Sequence, residues 1–311
     1  MSTKLRIQGY TALFKLSLYD KEERLISLTG YSIEMNRNIL DSEGHWGQYD
    51  VQGFNTLKRL KTVYLQDCPT YSLSIDFELT EPLLDDILTQ ITTAREKKIT
   101  SLFLDSANGI SITLGEMYLT SFSMGVDNND IAKGKLDFLV RRSDFYYEFC
   151  ENLNLEAKSI ILPFDVDNKL MPYYWWGLDT EVFAVPNIIS FNLTWSQELI
   201  PKFTCNNSLE DLAPTFQHLY FCKPEVKFSS DVFLGSNTVI NYDQYIGTNL
   251  NVEFKDDFLH LENIYVKYKG VNKLEMNGVV VKEFSPNFNL GGRYECSFNC
   301  DVYGVLKKVS N

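Results

Sequence analysis

The sequence predicts a mainly β protein made of two antiparallel β-barrel or β-sandwich domains, the first carrying one amphipathic helix. Three observations lead there. Apolar and polar residues alternate with period two through most of the chain, the pattern of strands with one buried and one wet face. Aromatic residues reach 14%, with 21 Phe and 18 Tyr, types that suit a pleated, half-buried surface. The 311 residues, 44% hydrophobic and 23% charged, are globular in composition and long enough for two cores. The expected division is 1–150 and 151–311.

The chain opens with a hairpin, Leu13 to Tyr19 and Leu25 to Leu28, joined by the charged turn Asp20 to Glu23. A strand from Tyr31 to Asn38 follows. Asn38 to Leu57 then runs about twenty residues with three glycines and no period, a length that in a compact domain marks a functional loop or contact arm. Strands resume at Thr62 to Leu65 and at Tyr71 to Leu79. The helix is Glu81 to Lys98: Thr80 is placed to cap it and Pro82 sits in its first turn. Acids open it and bases close it, with Leu83, Leu84, Ile87, Leu88, Ile91 and Ala94 on one stripe.

Thr100 to Leu104 leads into Ile110 to Arg142, which reads as three consecutive antiparallel strands with the turn Asp127-Asn128-Asn129-Asp130 before the last. Phe145 to Asp167 joins the halves. The second half reads as strands at Asn187 to Trp195, Tyr220 to Leu234, Thr238 to Tyr242, Asn249 to Phe254, Leu259 to Tyr268, Leu274 to Phe284 and Gly292 to Tyr303, with an irregular stretch at Ser196 to Leu219. Both halves run strand, irregular segment, strands and a closing meander. Residues 101–126 can be laid beside 250–271, so the second half is either a diverged duplicate or a second, unrelated meander.

Composition excludes several functions. Net charge is −12, and basic runs such as Arg95 to Lys98 and Arg141-Arg142 are short, so tight nucleic-acid binding is not expected. An acidic wall that DNA slides past fits the charge. No apolar run approaches the ~20 residues of a spanning helix, so no membrane anchor is expected, and MSTKLRIQGY lacks the pattern of a secretion signal. The six cysteines include no CxxC. Cys296 and Cys300 share a strand face about 13 Å apart, too far for a disulfide, and buried reduced thiols are expected.

Catalytic chemistry finds few footholds. His45, His218 and His260 have no metal-ligand spacing, and no GxSxG, GxxxxGK[ST] or GxGxxG occurs. Neither a catalytic residue, a metal nor a cofactor is therefore expected. The carboxylate pairs Asp85-Asp86, Asp127/Asp130 and Asp256-Asp257 suit a helix start and two turns; a glycosidase would need two of them facing across a cleft. Two clusters stand out for binding. Gly44, His45, Trp46, Gly47 and Tyr49 lie in the long first-half loop and are candidates for an intersubunit contact. Tyr173, Tyr174, Trp175 and Trp176 form an aromatic run that is either a plug between domains or subunits or a platform for sugar rings.

The meander with its DNND turn followed by LDFLVRRSDFYYEF (residues 127–149) resembles the C-terminal part of phage tail tube proteins and the related tube-forming proteins of contractile injection systems. The resemblance covers mainly residues 31–149. It implies a rolled sheet, one flanking helix at 81–98 and a loop at 38–57 that reaches the next ring. It also implies a structural virion protein, assembled in a host cytoplasm into trimeric or hexameric rings with other tail proteins, around a channel that DNA traverses without being held. A carbohydrate- or receptor-binding β-sandwich is the rival reading.

Overall fold

The computed structural model describes residues 12–19, 24–26, 28–36, 39–41, 63–65, 70–105, 110–140, 145–149, 170–180, 184–185, 188–202, 218–234, 259–288 and 294–309. It is a mainly β protein in which every strand ladder is antiparallel.

The first half contains β1 (Ala12–Ser17), β2 (Arg24–Ile26), β3 (Leu28–Asn36), β4 (Ile39–Asp41), β5 (Val63–Leu65) and β6 (Thr70–Glu78). Helix α1 (Glu81–Thr93) follows, then β7 (Ile99–Asp105), β8 (Ile110–Asp127), β9 (Lys133–Val140) and β10 (Phe145–Phe149). The second half contains β11 (Trp176–Thr180), β12 (Ala184–Val185), β13 (Ile188–Ser196), β14 (Leu199–Lys202) and β15 (His218–Phe221). It ends with β16 (Glu225–Leu234), β17 (Leu259–Tyr268), β18 (Val271–Phe288), β19 (Tyr294–Val302) and β20 (Leu306–Lys308).

Ile110 to Arg142 holds two strands where the alternation predicts three. Gly115 and Glu116 make no turn, and β8 runs through as one strand of 18 residues. The apparent boundary is a β-bulge: the β7–β8 register breaks at Gly115-Glu116, between the pairs Ser101↔Leu114 and Ile99↔Met117, and a second break on β8–β9 follows between Leu119 and Ser121. Before the second break Met117 and Leu119 are buried; after it the burial moves to Phe122, Met124 and Val126. One inserted residue flips the inward parity, which in a sequence looks like a strand ending and another beginning.

The helix is shorter than its stripe predicts and ends at Thr93, so Arg95, Lys97 and Lys98 lie beyond its last turn. Thr80 occupies the N-cap position but its hydroxyl makes no capping bond; its carbonyl accepts from the Leu84 N–H at 2.9 Å. The C-terminus is closed by Gln90, almost fully buried within the apolar stripe. Its Nε2 donates to the carbonyls of Ala94 at 2.7 Å and Lys97 at 3.3 Å, and its Oε1 accepts from the Tyr19 N–H at 2.9 Å. Gln90→Leu keeps the volume, strands the Tyr19 N–H and takes from the Ala94 carbonyl one of its two donors, the other being the Lys97 N–H at 2.8 Å. We expect a loss of about 2–3 kcal/mol in urea denaturation, against under about 0.5 kcal/mol for a change at exposed Thr93.

Sheet order decides the rest. In the first half it runs β2-β1-β7-β8-β9-β6-β3, with β10 also on β8; in the second it runs β12-β11-β17-β18-β19-β16-β13, with β20 also on β18. The two orders match strand for strand, and β8 and β18 are each 18 residues long. Irregularities match too. The register break between Leu28 and Gly30 on β3–β6 has its counterpart between Ile188 and Ser190 on β13–β16, and that between Leu119 and Ser121 on β8–β9 has its counterpart between Val281 and Glu283 on β18–β19. Here β17 takes the position of β7, so the correspondence sits one strand away from the pairing of 101–126 with 250–271. Successive meander strands alternate alike, and alternation cannot number them. The segment 235–258, where a second helix would correspond to α1, lies outside the described residues, as do the expected strands at 238–242 and 249–254.

The halves share one sheet, because β13 also pairs along β8 from Ser190↔Asp127 to Ser196↔Ser121. A second tie runs through α1. Lys273, nearly buried in β18, places its Nζ 2.8 Å from Glu81, and Lys308 of β20 donates to the Asp85 carbonyl at 3.2 Å. Between the layers lies one continuous core, including Leu73, Phe77, Phe122, Phe138, Phe191, Trp195, Phe228, Ile264 and Met276.

Candidate assembly interface

Four surfaces are candidates for the functional site: the long loops, the aromatic run, a polar trough and the strand edges.

Gly44, His45, Trp46, Gly47 and Tyr49 lie outside the described residues, but the ends of their segment are described. They are β4 and β5, zipped from Ile39↔Leu65 to Asp41↔Val63 as a separate two-stranded ladder. At the matching place in the second half, β14 and β15 form another such ladder, from Leu199↔Phe221 to Lys202↔His218. That second ladder falls in a stretch the sequence reads as irregular, because Pro201 and four-residue strands hide the alternation. Tyr118 of β8 meets Phe221 edge-on at 5.7 Å, which seats the ladder on the sheet, while Tyr220 is exposed.

The aromatic run divides. Trp176 is buried, with Phe191 at 5.2 Å and Tyr268 at 5.0 Å. Tyr173 is half-buried against the core. Tyr174 and Trp175 are exposed at 66% and 43%. The residues Tyr173 to Trp175 form a 3-10 turn, which fans the rings: Tyr173 and Tyr174 meet at 86°, Tyr174 and Trp175 at 43°. Sugar stacking needs a flat exposed face, and fanned rings do not build one together. Lys269 caps Trp175, its Nζ 5.4 Å from the ring centroid.

Tyr268 beneath them is held neutral. Burial pushes its phenol up to about 12, with the charge of Glu81 and Tyr174 adding to the rise. A folded value above the ordinary value near 10 leaves stability untouched below about pH 10 and erodes it as pH climbs towards 12. Tyr268→Phe removes that erosion. The expected result is an alkaline unfolding midpoint shifted to higher pH and one late-ionising phenol fewer in an ultraviolet titration.

A cavity of about 760 Å³ lies over β3, β6, β9, β8 and β13, lined by Asp76, Ser123, Lys133, Lys135, Asn192 and Thr194 among others. It is the wet face of the sheet, with lysines and hydroxyls but no opposed acid pair. Of the carboxylates named above, Asp85 and Asp130 have structural partners. Asp85 receives Lys273 and Lys308, with oxygens 3.9 Å from each Nζ. Asp130 accepts from the Ile131 N–H at 2.8 Å and from Lys133, whose hydrogen bond holds its carboxyl below the ordinary range. Asp256-Asp257 and His45 lie outside the described residues, and His218 is exposed on β15. No group of three metal-ligating side chains occurs among the described residues. Cys300 is a buried free thiol, pushed by burial up to about 12 and so unreactive as a nucleophile.

The strand edges remain, and one joint shows how they are used. Both β7 and β9 pair with Met117, so they lie on opposite edges of β8. The β13 strand takes over from β7 along the same edge, beyond residue 117. Its inward residues Phe191, Leu193 and Trp195 stand opposite Val126, Met124 and Phe122, all 2% exposed or less. The edge strand of one seven-stranded unit thus docks on the long strand of a matching unit, with a dry apolar seam. On the wet side the strands lie close: a Cβ on Gly125 would meet Asn192 Oδ1 at 2.6 Å. Sequence periodicity had no means of finding this site, since a strand's alternation carries no mark of its neighbour.

No protein-family model and no curated protein matches the sequence. Among solved structures, the chain is similar to a component of a particle described as "Virion of native gene transfer agent (GTA) particle", with 6% identity, covering 44% of this chain and 96% of that one at a TM-score of 0.30. It is similar also to a component of "Tail of empty GTA particle computed with helical refinement, C6 symmetry", with 8% identity over the same shares and a TM-score of 0.31. Likeness at that level fixes neither a fold nor a role.

Proposed function

We propose that this chain is a structural, non-enzymatic subunit of a phage-like tail: a tube protein, or a tube-like component of the baseplate or tail end. The observation that carries the reading is the β13–β8 joint, in which two like units recognise each other by extending a sheet. Joining sheet edges between units is how a continuous wall is built from modules. Two such units in each chain would let three chains form a ring with six sheet units; a single unit per chain would require six chains. The net charge of −12 suits a channel wall that DNA passes without adhering. The partners would be further copies and other tail proteins, with assembly in the host cytoplasm and residence in the virion.

Negative-stain microscopy and light scattering of the purified chain test this. Rings or tubes of uniform diameter are the expected result; a protein that stays monomeric and is retained on glycan supports would favour the carbohydrate-binding module instead. The loop at 38–57 has its own test. Deleting Gly44 to Gly47 should block stacking of rings into tubes and leave the circular dichroism unchanged, whereas normal tubes would remove the loop from the contact.

A further inference from the structure

The matched halves leave one joint unmade. In the first half the edge strand corresponding to β13 is β3, which pairs with β6 on one side only among the described residues. In the second half the strand corresponding to β8 is β18. Its β17 ladder stops at Val281, and from Glu283 to Phe288 the described pairing is with β19 alone. Val279 to Val281 pair with both neighbours, so β17 and β19 lie on opposite edges and the vacated edge is the one β17 leaves. This is the same stretch of edge that β13 occupies on β8. Among the described residues, therefore, one plug and one socket are joined, and one plug and one socket are open.

We infer that β3 of one molecule docks antiparallel on residues 283–288 of β18 in a second copy, repeating between chains the joint that β13 and β8 make within one. This rests on the proposed tail-subunit reading and names the surface through which its ring closes. The matched register breaks set the alignment. Ile33 corresponds to Leu193, each the fourth residue past its break, and Pro286 corresponds to Met124. Transferring the β13–β8 register places Tyr31 opposite Phe288, Ile33 opposite Pro286 and Met35 opposite Phe284. Every position that is apolar on both sides of the made joint is apolar on both sides of the open one.

Exposure supports the match. Phe191 and Leu193 are fully buried in the made joint, while Tyr31 at the place of Phe191 is 41% exposed. Thr29, Ser32 and Glu34 are exposed along the same strand, as are Glu283 and Ser285 on the other. A strand edge whose backbone has no ladder partner on one side among the described residues is a template for another chain. Pro286 has no N–H to give, which strands tolerate at edges, so this joint has one donor fewer than its twin. Plug and socket are different surfaces, which makes the contact head-to-tail and allows a closed ring.

The test is a cysteine pair at facing wet-side positions, Glu34→Cys with Ser285→Cys, which match the Thr194↔Ser123 pair of the made joint. Mild oxidation of the assembled double variant should give covalent multimers ending at one size on non-reducing gels and reversed by reductant, absent from either single variant and from the unmodified chain. If the double variant forms rings by microscopy yet yields no cross-link, the joint is wrong while the tail-subunit reading stands. If the unmodified chain stays monomeric at every concentration and salt tested, both fall. As a second variant, Tyr31→Glu places a charge at a position that is 41% exposed in the single molecule. It should raise the concentration for half-assembly at least tenfold with an unchanged far-ultraviolet spectrum, and undiminished assembly would overturn the inference.

Discussion

Trp195→Ala should be the most damaging single substitution in this chain, at about 3–5 kcal/mol in chemical denaturation. Trp195 is 2% exposed on β13 and stands opposite Phe122 on β8, itself fully buried. Truncation removes the largest side chain from the seam between the two seven-stranded units. The surrounding strands are held by ladders on both sides and cannot collapse into the gap, which is the condition under which a cavity costs most. The seam is the main strand-to-strand link between the halves, so the loss should also change the shape of unfolding. A single denaturation transition in the unmodified chain should broaden or split in the variant as each half melts by itself. Coincident, single transitions for both proteins would show that the remaining ties, the α1 contacts with Lys273 and Lys308 and the bridges Thr80↔Leu170 and Ile131↔Pro172, are enough to keep the halves cooperative.

Gly304→Val should cost roughly 2–3 kcal/mol, from backbone collision and not from a lost contact. A Cβ at Gly304 would lie 2.3 Å from the carbonyl oxygen of Asn277, the same oxygen that accepts the Gly304 N–H at 3.1 Å. Opposite it, Gly278 sits at φ +63°, and its carbonyl accepts the Tyr303 N–H at 3.0 Å. Backbone here has no rotamer with which to yield, so the strands must part. What parts with them is β20, whose Lys308 reaches the Asp85 carbonyl of α1. Amide exchange should therefore accelerate in β20 and in the first turns of α1 together. Protection lost in β20 alone would mean that the helix is docked by its apolar stripe without help from these lysines.

Much of this molecule was legible as a linear pattern. The hairpin of β1 and β2, the strands β3, β6, β7, β9, β13 and β17, and the existence of the helix all follow from period and turn chemistry, because each depends on residues within a few positions of one another. Where the pattern misled, a local irregularity had been taken for a boundary. The bulge at Gly115-Glu116 imitates a turn, and Gln90, a polar residue inside an apolar stripe, gives no hint that it ends the helix by binding Ala94 and Lys97. The aromatic run Tyr173 to Trp176 reads as one feature, yet a 3-10 turn sends Trp176 inward and leaves Tyr174 and Trp175 outside.

Alternation of side chains along a strand is a property of the backbone of that strand alone, and so the sequence by itself determined that this protein would be sheets with one wet face, with a helix in the first half. Which strand lies beside which is decided by hydrogen bonds running perpendicular to the chain, between residues that may be seventy positions apart, and no period records them. Only the tertiary structure could therefore place β13 on β8, match the two halves strand for strand, and leave β3 and the end of β18 as the edges still to be filled.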